Sequence, residues 1–199
     1  MAVPRLVLGG PFVAVLLTAG GRPAPAQPPP KAEFVNVLGD TYRLPGPNDC
    51  KAVALLFVGF DCPISNSYAK ELGRLCKEYG PKKVAFCVVY ADADVGKDAA
   101  RKHATDYGFG CPAVLDPKMT LALQVGATTE PETAVLSPTG EVLYLGRIDN
   151  RYVDFGKRRE QVTSHELRDA LDAVLAGKRV ATPRVKGIGC DIDFPKNSP

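Results

Sequence analysis

Cys62 has the sequence setting that most favours chemistry. Residues 53–58 are a continuous apolar run, which predicts a strand buried on both faces. Apolar residues from Tyr68 to Tyr79 then recur at helical spacing, and Pro63 suits a first helical position. Cys62 is therefore predicted to lie where a buried strand passes into a helix. Free N–H groups and the helix dipole at such a site favour the thiolate, the nucleophilic form of cysteine.

Two considerations compete with a reactive Cys62. The carboxylate of Asp61 would oppose a thiolate if it turned toward the sulfur. A lone cysteine is also commonly a small, buried apolar residue. The strand-to-helix junction and the proline that follows favour the reactive interpretation.

The other sulfur and imidazole side chains indicate no metal site. Cys76 falls on the apolar stripe of the first helix and Cys87 inside an apolar strand, so both are predicted core residues. His103 borders the apolar face of a later helix and is expected to be packed, whereas His165 is expected to be exposed and structural. The chain has no C-x-x-C pair and only these two histidines. We expect neither a metal nor any other cofactor.

The N-terminus has the pattern of a secretory signal peptide. Arg5 precedes an apolar stretch at 6–19 that is too short to span a bilayer, and Ala24-Pro25-Ala26 supplies a cleavage site. We predict a signal peptide at 1–26 and an exported protein, periplasmic or extracellular, in which disulfides can form. An uncleaved N-terminal anchor is the alternative.

Charge indicates neither a nucleic-acid partner nor an anionic membrane surface. Of the 199 residues, 25 are basic and 22 acidic. Cleavage after residue 26 would remove two of the basic residues and leave a net charge of +1. A cluster of basic residues around Arg147 and Arg151 is expected to be a solvated loop, although it could attract an anionic substrate.

The remaining patterns predict one α/β domain at 34–178, after a proline-rich linker at 27–33 and before a tail at 179–199. A buried strand, a helix and a second buried strand form a βαβ unit, which implies parallel pairing. The other predicted elements are hairpin strands at 34–38 and 41–44, a strand at 84–89, a helix at 99–107, a strand at 111–115, a helix at 119–125, hairpin strands at 133–136 and 141–145, and a helix at 167–175 after a capping box at 163–166. The tail holds an apolar patch around Cys190 and is expected to dock on the domain.

Four motifs in this order resemble the redoxin branch of the alkyl hydroperoxide reductase/thiol-specific antioxidant (AhpC/TSA) family. They are Phe60-Asp61-Cys62-Pro63, Glu130-Pro131-Glu132, Tyr144-Leu145-Gly146-Arg147-Ile148-Asp149 and Gly189-Cys190. The similarity is greatest to exported, peroxiredoxin-like members, and it extends over about 34–194. It implies a thioredoxin-like fold of three layers with a mixed central sheet.

The resemblance also implies roles for individual residues. The proline before the hairpin, Pro131 here, would be cis and lie against Cys62, and Pro63, Pro131 and Arg147 would help to position the substrate. Two residues depart from the related patterns. Ser65 stands where thioredoxin-type enzymes have a second cysteine, and Gly59 where peroxiredoxins have the Thr or Ser that positions peroxide.

These features predict a thiol-dependent oxidoreductase in which Cys62 attacks either a peroxide or a protein disulfide. A separate thiol reductant would then restore the protein. The family favours peroxide slightly, and disulfide exchange of the thioredoxin type is the alternative. A non-enzymatic binding or copper-handling module is the less favoured third interpretation, because the residue four after Cys62 is Asn66 rather than cysteine.

Cys190 is the predicted resolving cysteine. Cys76 and Cys87 belong to the predicted core. Cys50 and Cys111 lie toward the opposite end of parallel strands, about 20 Å away for a six-residue strand, whereas a disulfide needs Cα atoms within about 7 Å. A free tail thiol or an intermolecular link remains the alternative for Cys190.

Overall fold

The computed structural model describes residues 32–38, 41–44 and 49–195. The signal peptide predicted at 1–26 and most of the predicted linker lie outside this range. The elements are β1 (Ala32–Val35), β2 (Thr41–Leu44), β3 (Ala52–Phe57), α1 (Pro63–Tyr79), β4 (Val84–Tyr90), α2 (Lys97–Tyr107), β5 (Ala113–Leu115), α3 (Thr120–Val125), β6 (Thr129–Glu130), β7 (Glu132–Leu136), β8 (Val142–Gly146), β9 (Tyr152–Asp154), β10 (Lys157–Arg158), α4 (Glu166–Leu175), β11 (Arg184–Val185) and β12 (Cys190–Asp191).

A six-stranded mixed sheet forms the centre, in the order β11-β8-β7-β3-β4-β5. The strand β3 runs parallel to β4 and antiparallel to β7, so the predicted βαβ unit is confirmed. Every residue of β3 is fully buried, which explains its unbroken apolar sequence.

Helices cover both faces of this sheet. Alternate residues of β3, such as Ala54 and Leu56, share one core with the apolar faces of α1, α2 and α4. The intervening residues, such as Leu55, pack with α3 and with Ile192 of the tail. The predicted three-layer α/β arrangement is therefore present. Burial of each large aliphatic or aromatic side chain contributes about 1.5–3 kcal/mol.

Several boundaries differ from the sequence-based expectations. The predicted capping box is wrong, since α4 begins at Glu166 and follows an N-cap, His165, that makes no side-chain capping bond. His165 is exposed, as expected. The chain between Tyr152 and Arg158 forms a small antiparallel pair, β9 and β10, rather than a plain loop. Cys111 precedes β5 instead of opening it.

The tail lies against the domain at two places. Its strand β11 extends the central sheet beside β8, in parallel. Its second strand, β12, pairs antiparallel with β6, so that Cys190 is opposite Glu130. This second pairing brings the tail to the start of α1.

Candidate active site around Cys62

Cys62 occupies the N-cap position of α1, and Pro63 is the first helical residue, as predicted. The Cys62 N–H donates to the Gly59 carbonyl over 3.3 Å, which closes the turn after β3. The hydroxyl of Ser65 accepts from the Gly59 N–H at 3.1 Å. The serine that replaces a second active-site cysteine therefore holds this turn in place. Cys62 itself is only 4% exposed, whereas the adjacent Pro63 is exposed.

The peptide bond between Glu130 and Pro131 is cis, which confirms the expectation for Pro131. The Cys62 thiol donates a hydrogen bond to the Glu130 carbonyl at 3.2 Å. The cis-proline loop thus contacts the Cys62 sulfur through the backbone carbonyl of Glu130.

Cys190 lies beside Cys62. Partial burial raises the pKa of the Cys190 thiol, as do a hydrogen bond with Cys62 and the nearby negative charge of Glu130. A raised pKa keeps Cys190 protonated at neutral pH, so Cys190 is poorly suited to act as the attacking thiolate. All six cysteines are free thiols in this structure.

Gly189 lets the tail come this close. A Cβ atom on Gly189 would lie 2.1 Å from the Glu130 carbonyl oxygen, a distance that real side chains do not reach, and 3.0 Å from Pro131 Cδ. Only glycine fits directly before Cys190 in this crossing. The Gly-Cys sequence of the tail is therefore explained by the cis-proline loop beneath it.

A buried carboxyl group adjoins the two sulfurs. Glu130 is 7% exposed, and its Oε1 has no hydrogen-bond partner among the described residues. Burial, followed by the charge of Asp92, raises the pKa of Glu130 to about 8, against a smaller opposing effect of a hydrogen bond from the Ala91 N–H. Sequence analysis assigned no role to this side chain. Its position directly before Pro131 was the one signal available.

The same carboxyl occupies the space beside Gly59. A Cβ atom on Gly59 would lie 2.6 Å from Glu130 Oε2 and 2.7 Å from Cys62 Cβ. The position that carries a hydroxyl in peroxiredoxins therefore has no room for a side chain here. The absence of a side chain at Gly59 leaves the space that the carboxyl group of Glu130 occupies.

His103 is packed, as expected, and supports the loop around Cys62. Its two ring nitrogens lie 2.8 Å from the Tyr90 hydroxyl and 3.0 Å from Asn66 Oδ1, and its ring is 5.0 Å from that of Phe60. Burial lowers the pKa of His103, which favours the neutral imidazole. His103 thus links α2 to residues on either side of Cys62.

Arg147 pairs with Glu166 at the start of α4, where its Nε lies 2.9 Å from the carboxylate. Its role in positioning a substrate stays a prediction. Arg151, which sequence analysis grouped with the solvated basic loop, contacts α1 instead. It donates to the Ser67 carbonyl at 3.3 Å and lies 4.4 Å above the Tyr68 ring. Buried Asp149 accepts from the Tyr68 hydroxyl at 2.6 Å and fixes this arginine.

Two further cysteines form a separate pair. The thiol of Cys111 contacts that of Cys76. This contact and burial raise the pKa of the Cys111 thiol. Cys76 lies 14 residues after Cys62, which is about 20 Å along the helix axis. Cys76 is 8% exposed and Cys87 is 1% exposed, so both are core residues, as predicted.

The part of the chain that the structure describes contains neither a metal-binding cluster nor a membrane-spanning helix. Within 32–38, 41–44 and 49–195, no group of three or more His, Cys, Asp or Glu side chains is arranged to hold a metal ion. None of the helices described is both long enough and apolar enough to cross a membrane.

Comparison with solved structures gives the fold. A hypothetical protein from Sinorhizobium meliloti 1021 aligns with a TM-score of 0.75 at 23% identity, over 89% of this chain and 98% of that one. A thiol-disulfide oxidoreductase from Bacteroides fragilis NCTC 9343 aligns with a TM-score of 0.52 at 24% identity, over 60% and 89% of the two chains. The peroxidoxin BcpB from Mycobacterium tuberculosis aligns with a TM-score of 0.56 at 20% identity, over 76% and 96%. The fold is thioredoxin-like.

Sequence comparison identifies the family. No curated protein matches the chain. The family model described as the AhpC/TSA family matches residues 24–145, which is more than half of the sequence. The matched region holds the Cys62 turn and the cis-proline loop. The chain therefore belongs to the AhpC/TSA family of thiol oxidoreductases.

Proposed function

We propose that the protein is a thiol oxidoreductase whose Cys62 and Cys190 cycle between a dithiol and a disulfide. The contact between these two sulfurs is the observation that carries the proposal. It depends on the pairing of β12 with β6, which holds the tail against the cis-proline loop. The N-cap position of Cys62 supports its role as the nucleophile, and the position of Cys190 beside it supports the role of Cys190 as the resolving thiol.

The cycle begins when the Cys62 thiolate attacks one sulfur of a substrate disulfide. A bond forms between Cys62 and that sulfur, and the other substrate sulfur leaves as a thiolate. Cys190 then attacks Cys62, which releases the second substrate thiol and leaves the Cys62–Cys190 disulfide. The substrate disulfide has gained two electrons and two protons, and the enzyme dithiol has lost them. An external thiol reductant restores the dithiol.

The site favours a disulfide over a peroxide as the electrophile. Gly59 offers no hydroxyl to a peroxide, and Glu130 fills the space that such a side chain would need. Arg147, which the family resemblance places among the substrate-positioning residues, is paired with Glu166. Peroxide is the second candidate because of the family. It would convert Cys62 to a sulfenic acid, and Cys190 would displace water from it.

One experiment tests the thiol pair and separates the two substrates. The reduced protein is treated with hydrogen peroxide or with oxidised glutathione, then mapped as peptides without reductant. We expect a Cys62–Cys190 peptide in both cases and faster formation with the disulfide. The variant Cys190→Ser should stop at a Cys62–glutathione adduct, while Cys50→Ser serves as the matched control with wild-type behaviour.

Two results would overturn the proposal. One is a lone sulfinic acid on Cys62 with Cys190 free. The other is labelling of Cys50 or Cys111 before Cys62 when the reduced protein meets limiting iodoacetamide near neutral pH. Faster oxidation by peroxide than by the disulfide would reverse the order of substrates and keep the thiol pair.

We also propose that the protein acts after export, in the periplasm or outside the cell. The proposal rests on the N-terminal sequence pattern, and an oxidising compartment would suit a redox dithiol. The exported form should begin at Gln27, which intact mass measurement tests. A mass that retains residues 1–26 would instead indicate an anchored protein.

A further inference from the structure

We propose that Glu130 is the general base and acid that moves the proton during exchange between Cys62 and Cys190. This inference rests on the proposed thiol cycle and adds a catalytic residue to it. The observation that supports it is the position of the buried Glu130 carboxyl group between the turn that holds Cys62 and the strand that holds Cys190. One oxygen of this group has no hydrogen-bond partner among the described residues.

One contact, one strand pairing and one electrostatic effect define the position of this carboxyl group. Its Oε2 and the Cβ of Cys62 both lie against the same face of Gly59. Its own residue is the register partner of Cys190 in the pairing of β6 with β12. Its charge acts on the Cys190 thiol. The group is thus next to both reacting sulfurs rather than in a remote part of the core.

The carboxyl group has free capacity to take a proton. Buried polar atoms are almost always hydrogen-bonded, yet Oε1 of Glu130 has no partner among the described residues. The group accepts one bond from the Ala91 N–H. An unfilled acceptor in a buried site beside two thiols suits transient protonation.

Of the other candidate bases near the sulfurs, the carboxylates of Asp61 and Asp191 are exposed to solvent, and two side chains are already engaged. Ser65 accepts from the turn of Gly59, and both ring nitrogens of His103 have partners. The titratable groups that face Glu130 are the thiols of Cys62 and Cys190 and the carboxylate of Asp92, which lies just after β4. Asp92 repels the ionised form of Glu130 and so keeps it a stronger base.

The proton balance of the resolving step is then complete. Cys190 attacks the sulfur of Cys62 in the mixed disulfide while its proton passes to the Glu130 carboxylate. The bond between Cys62 and the substrate sulfur breaks, and the substrate leaves as a thiolate. Glu130 returns the proton to that thiolate. The net products are the Cys62–Cys190 disulfide and one substrate thiol, with Glu130 regenerated.

A chromogenic disulfide, 5,5′-dithiobis(2-nitrobenzoic acid), resolves the two steps in time. Attack by Cys62 releases one coloured thiolate in a second-order phase, and attack by Cys190 releases the second in a first-order phase. A low, limiting reagent concentration keeps the other thiols from contributing. We expect Glu130→Gln to slow the second phase by about 100-fold at pH 7.5, the lower range for loss of a general base, with a smaller change in the first phase.

The pH profile carries the sharper test. In the wild type, the rate of the second phase should rise as Glu130 ionises, with a midpoint near 8. The Glu130→Gln variant should lose this rise. In Asp92→Asn the midpoint should move to lower pH, because the charge that disfavours ionised Glu130 has been removed. Asp116→Asn, which alters a buried carboxyl at the start of α3, is the control with an unchanged midpoint.

The outcomes separate the two proposals. If the wild type releases only one coloured thiolate, the Cys62–Cys190 cycle itself is wrong. If two are released and Glu130→Gln keeps both the rate and the midpoint of the second phase, the cycle stands and the role of Glu130 is refuted. If Glu130→Gln does not fold, Asp92→Asn decides alone, and an unchanged midpoint there overturns the inference.

Discussion

Burial of Glu130 makes a quantitative prediction about stability, independent of catalysis. The perturbation is Glu130→Gln, which keeps the size of the side chain and removes its ionisation. In the folded protein the pKa of this carboxyl is about 8, against an ordinary value of 4.5. The folded state therefore binds the proton more tightly than the unfolded state does.

The sign of the effect follows from linkage. The stabilising contribution of the neutral Glu130 is complete below about pH 4.5 and is lost as the pH rises from there through 8. At 1.36 kcal/mol per pKa unit, the total loss is at most about 5 kcal/mol. Glutamine does not titrate, so the variant lacks this loss. The other buried carboxyl groups, such as Asp116 and Glu132, are common to both proteins and cancel in the comparison.

Urea unfolding of both proteins at pH 5, 7 and 9 measures the prediction. The free energy of unfolding of Glu130→Gln, minus that of the wild type, should increase by several kcal/mol between pH 5 and pH 9. Both proteins are kept reduced, so that no disulfide contributes. A difference that stays constant within about 1 kcal/mol over this range would refute the argument that burial holds the carboxyl neutral.

Three further substitutions test the packing of the site. Gly59→Ala should destabilise the fold by about 1–3 kcal/mol in urea unfolding, because the new methyl group collides with the Cβ of Cys62 as well as with the buried carboxyl. Gly96→Ala, where a Cβ meets nothing within 4 Å, is its control. Gly189→Ala should displace the tail and slow formation of the Cys62–Cys190 disulfide at least tenfold, and unchanged kinetics would contradict the close crossing. Asp149→Ala should lower the free energy of unfolding by about 3–5 kcal/mol, because it leaves a partly buried arginine and a tyrosine hydroxyl without this partner. Loss of the exposed Asp154 is the control and should lower it by less than about 1 kcal/mol in the same urea unfolding.

The position of Cys62 could be predicted because two local periodicities meet there. A fully apolar run indicates a buried strand, and the stripe that ends at Tyr79 indicates a helix, without reference to any distant residue. The cis bond at Pro131 came from the family resemblance rather than from periodicity. The helix α4 starts within one residue of its predicted start, but the predicted capping box was wrong because His165, rather than Thr163, takes the N-cap position.

The contacts of Arg147, Arg151 and Glu130 could not be predicted, because each involves residues far along the chain. Both arginines belong to one polar segment, yet one pairs with α4 and the other with Asp149 against α1. Glu130 is an ordinary acidic residue in the sequence. Its properties arise from burial against a glycine about 70 residues earlier, and no local pattern reports such a contact.

Gly59 and Gly189 therefore both depend on the position of Glu130, and these three residues are not independent departures from a family pattern. The absent side chain at 59 leaves the space that the carboxyl of Glu130 occupies. The absent side chain at 189 lets the tail cross the Glu130 carbonyl and bring its cysteine to Cys62. A hydroxyl at 59 would displace the carboxyl, and a side chain at 189 would displace Cys190. Restoring a peroxiredoxin-like threonine at 59 should consequently impair the thiol pair rather than create a better peroxidase.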